Sequence, residues 1–220
     1  MKKFAIIGLS SFGLNIVKTL AQKDAEILAI DKDENKVKEI KDIVNQAITM
    51  DATNKENLSS IGITEMDIVI VSTGPTLEPS ILIVHILKEL GVKKIIAKAL
   101  SEDHEKILNL VGATEVSFPE RDVAIKIGNR LTFSNLLDYL PLESGIVIQE
   151  IAPPDSFIGK TLAEIHLRKK YNVTVVAIKS IIPEETIPNP GGDFLVKESD
   201  ILIVLGSSDD IEKFQKKLNQ

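Results

Sequence analysis

Apolar residues in this chain cluster in short unbroken runs, and the stretches between them carry apolar residues at helical spacing. The runs fall at residues 3–7, 26–30, 47–50, 67–71, 94–97 and 116–118, and Ile, Val and Ala dominate them. Short runs without alternation predict parallel strands buried on both faces. Phe12, Ile16, Val17 and Leu20 share one face of a helix over 12–22. Asp33 predicts the N-cap of a helix to Ile43. Thr53, with Glu56 three residues on, predicts a capping box opening 54–60. Helices over 78–90 and 102–111 stop at Gly91 and Gly112, where a C-terminal glycine is expected. Parallel neighbours need crossovers, so six strands alternating with five helices predict a doubly wound parallel α/β sheet.

The pattern then changes. Residues 120–139 keep helical period through Val123, Ile127, Leu131, Leu136 and Leu137, and Pro141 ends them. The sheet is already complete, so this apolar face must cover a second domain or another copy of the chain. Beyond it, strands at 146–148, 173–178 and 201–205, a short helix over 161–170 and a last helix capped by Asp209 predict a small α+β module. The Pro- and Gly-rich stretch 181–194 excludes regular central structure there. The organisation expected is a first domain over 1–139, including the helix from 120, and a second over 140–220.

Composition narrows the classes. The net charge is −6, which argues against nucleic acid as a partner. There is no cysteine, which removes disulfides, thiolate metal sites and cysteine nucleophiles and fits a cytosolic protein. The opening Met1-Lys2-Lys3 leads into a run too short for a signal peptide. No run approaches the length of a membrane span, so a membrane role would act through a partner.

The chemistry concentrates at strand ends, where Gly8, Asp31, Asp51, Thr73, Lys98 and Glu120 stand. Gly8-Leu9-Ser10-Ser11-Phe12-Gly13 reads as strand, tight turn and helix start. That arrangement presents backbone N–H groups to a diphosphate, and Asp31 beyond it suits ribose hydroxyls. The alternative is a glycine-punctuated turn that binds nothing. Among the histidines, His85 lies mid-helix among Ile and Leu and reads as packed. His104 stands in a charged first turn and reads as solvated, and His166 falls in the second module. None has triad or metal-ligand spacing, and Lys98 suits a phosphate better than acid–base work. Glu120 reads either as a carboxylate for a divalent cation near phosphates or as a first-turn acid favoured by the helix dipole.

Taken together, Gly8-x-x-x-Phe12-Gly13, Asp31, Asp51-Ala52-Thr53, Lys98 and Pro119-Glu120 resemble the RCK (regulator of potassium conductance) family of the KtrA/TrkA type. Gly159-Lys160-Thr161-Leu162, residues 167–178 and residues 200–206 are similar to its C-terminal domain. The resemblance spans essentially the whole chain. It implies a Rossmann-like first domain, a small C-terminal RCK domain, and a cytoplasmic, non-enzymatic regulatory subunit of a potassium uptake channel or transporter. Its implied partners are a membrane potassium-translocating subunit (KtrB- or TrkH-like) at the inner face and copies of itself, as dimers in an octameric ring. Its implied ligands are ATP or ADP, with NAD(H), Mg²⁺ and cyclic di-AMP also found in the family.

Residue by residue, the resemblance implies that Gly8, Ser10 and Gly13 line the phosphates and Asp31 binds ribose. Asp51 and Ala52 would face adenine, and Thr73 and Lys98 would lie near the phosphates. Ser11, Phe12, Lys32, Thr53 and Gly74 complete the nucleotide set, and Glu120 would meet the cation. Ile165, Arg168, Asn172, Val173 and Pro188 would contact a cyclic dinucleotide. Two positions depart from the family pattern: Ser10 stands where glycine is usual, and Ser11 where Ktr-type members carry arginine. The residues alone also admit a small NAD-dependent oxidoreductase, or a nucleotide-binding adaptor without a channel partner.

Overall fold

The computed structural model describes residues 1–132, 136–142 and 145–218. They divide into two compact units, Met1–Arg121 and Asp122–Gln220.

The first unit alternates strands and helices. In order these are β1 (Lys2–Ile7), α1 (Ser11–Leu20), β2 (Ala25–Asp31), α2 (Glu34–Ile40), β3 (Gln46–Thr49), α3 (Lys55–Ser60), β4 (Ile68–Val71), α4 (Leu77–Glu89), β5 (Ile95–Lys98), α5 (Glu102–Val111) and β6 (Glu115–Ser117). The strands form one parallel sheet in the order β3-β2-β1-β4-β5-β6. Successive strand residues point to opposite faces, so each strand feeds two cores. Ala5, Ile7, Leu28 and Ile30 join the cluster with Leu58, Val84, Leu87 and Leu108. Their neighbours Ile6, Ile27 and Ala29 join the other with Val17, Val37 and Ile40. Burying each Ile, Leu or Val side chain here is worth roughly 1.5–3 kcal/mol, which is why these runs hold no alternating polar positions. The strand order reverses direction between β1 and β4, and the chain ends there open toward one edge of the sheet.

Helix starts differ from expectation in detail. Asp33 caps α2 by accepting from the Asn35 amide. Asn54, not Thr53, caps α3, because the Asp51 carboxylate already engages both the amide and the hydroxyl of Thr53. A capping box does form, but at Thr161 and Glu164.

The helix expected over 120–139 is shorter. α6 runs Pro119–Thr132, and residues Leu136–Pro141 form strand β7, with 133–135 outside the described residues. Leu136-Leu137-Asp138-Tyr139-Leu140 fits a helix or a strand by pattern, and antiparallel pairing with the next strand decides for the strand. Leu136 and Leu137 therefore do not continue the helix face of Val123, Ile127 and Leu131.

The second unit continues with β8 (Ile146–Ile151), α7 (Leu162–Ile165), α8 (Leu167–Tyr171), β9 (Thr174–Ser180), β10 (Glu185–Pro188), β11 (Asp200–Ser207) and α9 (Ser208–Leu218). Its antiparallel sheet has the order β10-β9-β11-β8-β7. Pro188 closes the edge strand β10, a place where a missing donor costs nothing. Phe214 of α9 is fully buried at the centre of the core, 6.3 Å from Phe157 and 5.1 Å from Tyr171 between ring centroids. Ser207, rather than Asp209, holds the first turn of α9, accepting from the Asp210 amide.

Candidate functional site

The ends of β1, β2, β3 and β4 and the first turns of α4 enclose a cavity of about 500 Å³. Apolar walls come from Ile7, Ile30, Met50, Leu82 and Ile83, and the polar rim from Asp31, Lys32, Lys36, Asp51, Thr73 and Glu78. This is the topological switch point, where open α/β sheets bind ligands.

Local geometry fixes the turn after β1. Gly8 has φ +91°, and a Cβ there would lie 2.4 Å from the Ser72 carbonyl oxygen. A Cβ at Gly13 would lie 2.2 Å from the Gly8 carbonyl oxygen. Both glycines are demanded by the chain's own packing, before any ligand enters. Ser10 caps α1. Its hydroxyl accepts from the Gly13 amide at 3.5 Å and meets the hydroxyl of the buried Ser72 at 2.5 Å.

Asp31 is buried and locked in place. Its Oδ2 accepts from the Leu9 amide at 2.6 Å and its Oδ1 from the Asp33 amide at 2.9 Å, with Lys36 Nζ 3.8 Å away. One oxygen thus ties the end of β2 to the turn after β1. Asp51 is pinned by Thr53, whose hydroxyl and then amide hold its carboxyl below the usual carboxylate range.

Of the residues expected in the nucleotide set, Gly8, Asp31, Lys32, Asp51, Ala52, Thr53, Thr73 and Gly74 line the cavity together. Ser10, Ser11, Phe12 and Gly13 form the adjacent first turn of α1 and do not line it. Lys98 and Glu120 also stand apart from the lining and pair with each other, Nζ to Oε1 at 2.5 Å. That hydrogen bond holds the Glu120 carboxyl below its ordinary value. Glu120 offers one carboxylate that already accepts from an ammonium, and no group of three His, Asp or Glu side chains converges on an ion among the described residues. A divalent cation at Glu120 would have to displace Lys98 and draw its other donors from a bound phosphate.

Sequence reasoning missed Lys36, Met50, Glu78 and Leu82. Lys36 lies just past the α2 cap, and Glu78 and Leu82 lie in the first turns of α4, directly after the Thr73-Gly74 loop. Extending the strand-end rule into the following helix would have found Lys36, Glu78 and Leu82, while Met50 stands at the end of β3 itself.

The two histidines of the first unit, His85 and His104, are exchanged relative to expectation. His104 is 1% exposed. His85 is exposed on α4 and faces Glu89 at 3.6 Å. The α4 sequence is apolar almost all round, so only its packing tells which side is wet. The charged residues around His104 point outward while its ring turns in.

In the second unit, Ile165 and Val173 are core residues, Arg168 is exposed on α8, and Pro188 is exposed at the end of β10. Asn172 ends α8 in the left-handed conformation (φ +56°), and its side-chain amide donates to Asp210 Oδ2 at 2.9 Å.

Residues 4–119 match the family model of the TrkA-N domain, and residues 146–219 match that of the TrkA-C domain. The chain is 40% identical over 217 residues to the Ktr system potassium uptake protein C of Bacillus subtilis, covering 99% of this chain and 97% of that protein. Among solved structures, the GsuK channel bound to NAD is 24% identical with a TM-score of 0.55, over all of this chain and 39% of that one. GsuK bound to ADP is 25% identical with a TM-score of 0.51, over 59% of this chain and 34% of that one. The present chain therefore spans nearly all of the Bacillus protein but less than half of the GsuK chains. No helix among the described residues is long and apolar enough to cross a membrane.

Proposed function

This chain belongs to the family of potassium uptake proteins built from a TrkA-N and a TrkA-C domain, and we propose that it is a nucleotide-binding regulatory subunit of a potassium uptake system. The observation that carries this is the cavity at the switch point, with Gly8, Asp31 and Asp51 at its rim, in a chain 40% identical to a Ktr system protein across its length. The ligand is an adenine nucleotide, a reading to which the ADP complex of GsuK lends support. Adenine lies against Met50 and Ala52, and Asp31 receives the ribose hydroxyls on its remaining lone pairs. The phosphates run toward the turn at Gly8. Glu120 contributes to a cation only when phosphate oxygens complete the set. A cyclic dinucleotide at Arg168, Asn172 and Pro188 is the corresponding reading for the second unit.

The protein acts by binding, not by turnover. Hydride transfer needs a proton donor beside the cofactor. The cavity lining offers no imidazole, phenol or thiol, and its two lysines, Lys32 and Lys36, stand on the polar rim, Lys36 facing Asp31. Regulation instead requires that the nucleotide bind one conformation better than another. A tenfold shift between conformations takes about 1.4 kcal/mol of differential affinity. The readout passes to a membrane potassium-translocating partner on the cytoplasmic side, from an assembly of several copies. Val123, Ile127 and Leu131 supply an apolar stripe for self-association, four residues apart on α6 and all exposed.

The test is rubidium flux into vesicles holding a Ktr-type membrane subunit, with and without this protein, under ATP, ADP, NADH or no nucleotide. Flux that depends on both the protein and the nucleotide is expected. Flux indifferent to the protein in every state would remove the regulatory reading. Consumption of NADH with a small-molecule acceptor would favour the oxidoreductase instead.

A further inference from the structure

The turn that should cradle a diphosphate is already largely satisfied by the protein. The Gly8 amide donates to the Ile30 carbonyl at 2.8 Å and the Leu9 amide to Asp31 at 2.6 Å. The Leu14 amide donates to the Ser10 carbonyl at 2.8 Å. The Gly13 amide is taken by the Ser10 hydroxyl. At most the amides of Ser10, Ser11 and Phe12 are left for a ligand. The middle position of a dinucleotide turn is ordinarily glycine so that backbone can approach the diphosphate closely. Here it carries a side chain whose oxygen caps the helix as a phosphate oxygen would, and the buried Ser72 holds that oxygen in place.

The charges agree. The cavity lining carries three carboxylates, Asp31, Asp51 and Glu78, against two ammonium groups, Lys32 and Lys36. Lys36 faces Asp31, and Lys98 is engaged by Glu120. A site built to count phosphates would present an excess of positive charge or open N–H groups. Beyond the amides of Ser10, Ser11 and Phe12 in the adjacent turn, this one presents apolar walls and ribose acceptors.

We propose that Ser10 is a specificity-determining residue that closes the phosphate seat, so that the cavity selects its ligand by the adenosine moiety rather than by the number of phosphates. The inference rests on the adenine-nucleotide reading above and sharpens it. Affinity comes from the base and ribose, and adenosine, AMP, ADP and ATP bind within about tenfold of one another, equivalent to about 1.4 kcal/mol. Ser10→Gly reopens the seat, frees the Gly13 amide and releases Ser72.

Calorimetry on the full chain with adenosine, AMP, ADP and ATP, without Mg²⁺, tests this for wild type, Ser10→Gly and Ser10→Ala. Glycine is a tolerated cap, so Ser10→Gly is expected to fold, and its thermal melt verifies it. The ADP-to-adenosine affinity ratio is expected to rise at least tenfold in Ser10→Gly, with adenosine itself unchanged. Ser10→Ala keeps the Cβ but loses the hydroxyl, so its ratio is expected to fall between the two. A wild-type preference for ADP over adenosine beyond about tenfold overturns the proposal, and so does an unchanged ratio in a folded Ser10→Gly that still binds. Failure of all four compounds to bind any of the three proteins removes the nucleotide reading itself, and this inference with it.

Discussion

His104 Nε2 lies 3.0 Å from the hydroxyl of Ser80, and His104 Nδ1 accepts from the Leu100 amide. That acceptor role places the ring proton on Nε2, which donates to Ser80, and Ser80 donates onward to the Leu77 carbonyl at 2.7 Å. A neutral, buried imidazole thus ties α5 and the loop before it to the first turn of α4, the turn that walls the cavity.

Protonating His104 would put a donor opposite the Leu100 amide, and burial already pushes its pKa below the ordinary histidine value. The unfolded chain then binds more protons than the native one between the native pKa and about 6.5. Stability is full above about pH 6.5 and is lost as pH falls through that window. Urea midpoints measured from pH 8 to pH 5 are expected to drop more steeply for wild type than for His104→Gln. Equal slopes would show that His104 takes up its proton as readily in the native state as in the unfolded one, and would overturn the buried neutral reading.

Asp31 is asked to serve the fold and the ligand at once. Removing it in Asp31→Ala strips the Leu9 and Asp33 amides of a charged acceptor, and hydrogen bonds of that kind are worth about 1.5–3 kcal/mol each. Chemical denaturation is expected to show a loss of at least that size, together with weaker binding of adenine nucleotides. NADPH is expected to bind wild type more weakly than NADH, because a 2′-phosphate would face this carboxylate. Tighter NADPH binding would place the ribose elsewhere.

The stripe on α6 predicts association. Light scattering of a Val123→Asp, Leu131→Asp variant is expected to give a smaller particle than wild type. An unchanged mass in a folded variant would mean that the stripe is covered within one chain.

Phe214 has no exposed surface, stacks on Phe157 and meets Tyr171 at a tilt, so Phe214→Ala should leave a large void. A cost of about 3–5 kcal/mol is expected for truncating a buried aromatic. It should appear in the unfolding transition of the second unit while nucleotide binding by the first is retained. Loss of both together would show that the two units unfold as one.

Much of this was legible in the sequence because parallel strands announce themselves. Ile6, Ile30 and Val71 sit in unbroken apolar runs since both faces of each strand are covered, and the residues closing those runs fall at one edge of the sheet. Gly8, Asp31, Asp51 and Thr73 were found that way. What escaped depends on contacts distant in sequence. Leu9 reaching Asp31, Ser10 reaching Ser72 and Ser80 reaching His104 leave no periodic trace. The choice between helix and strand for 136–141 lay with β8, not with the residues themselves.

β7 has a consequence for where this protein divides. Likeness to the TrkA-C domain begins at residue 146, and likeness to the TrkA-N domain ends at 119, so β7 belongs to neither stretch. Yet β7 pairs along β8 from Leu136↔Ile151 to Pro141↔Val147 and supplies the border of the second sheet. The stretch matched by the TrkA-C family model is therefore smaller than the sheet that folds, although likeness to the Bacillus protein runs through β7 as well. A fragment begun at Ile146 would bare the outer rim of β8, an unpaired row of amides and carbonyls of the kind that recruits a neighbouring molecule. Begun before Leu136, the same fragment keeps β8 paired on both sides and leaves β7 as its edge, as in the whole sheet.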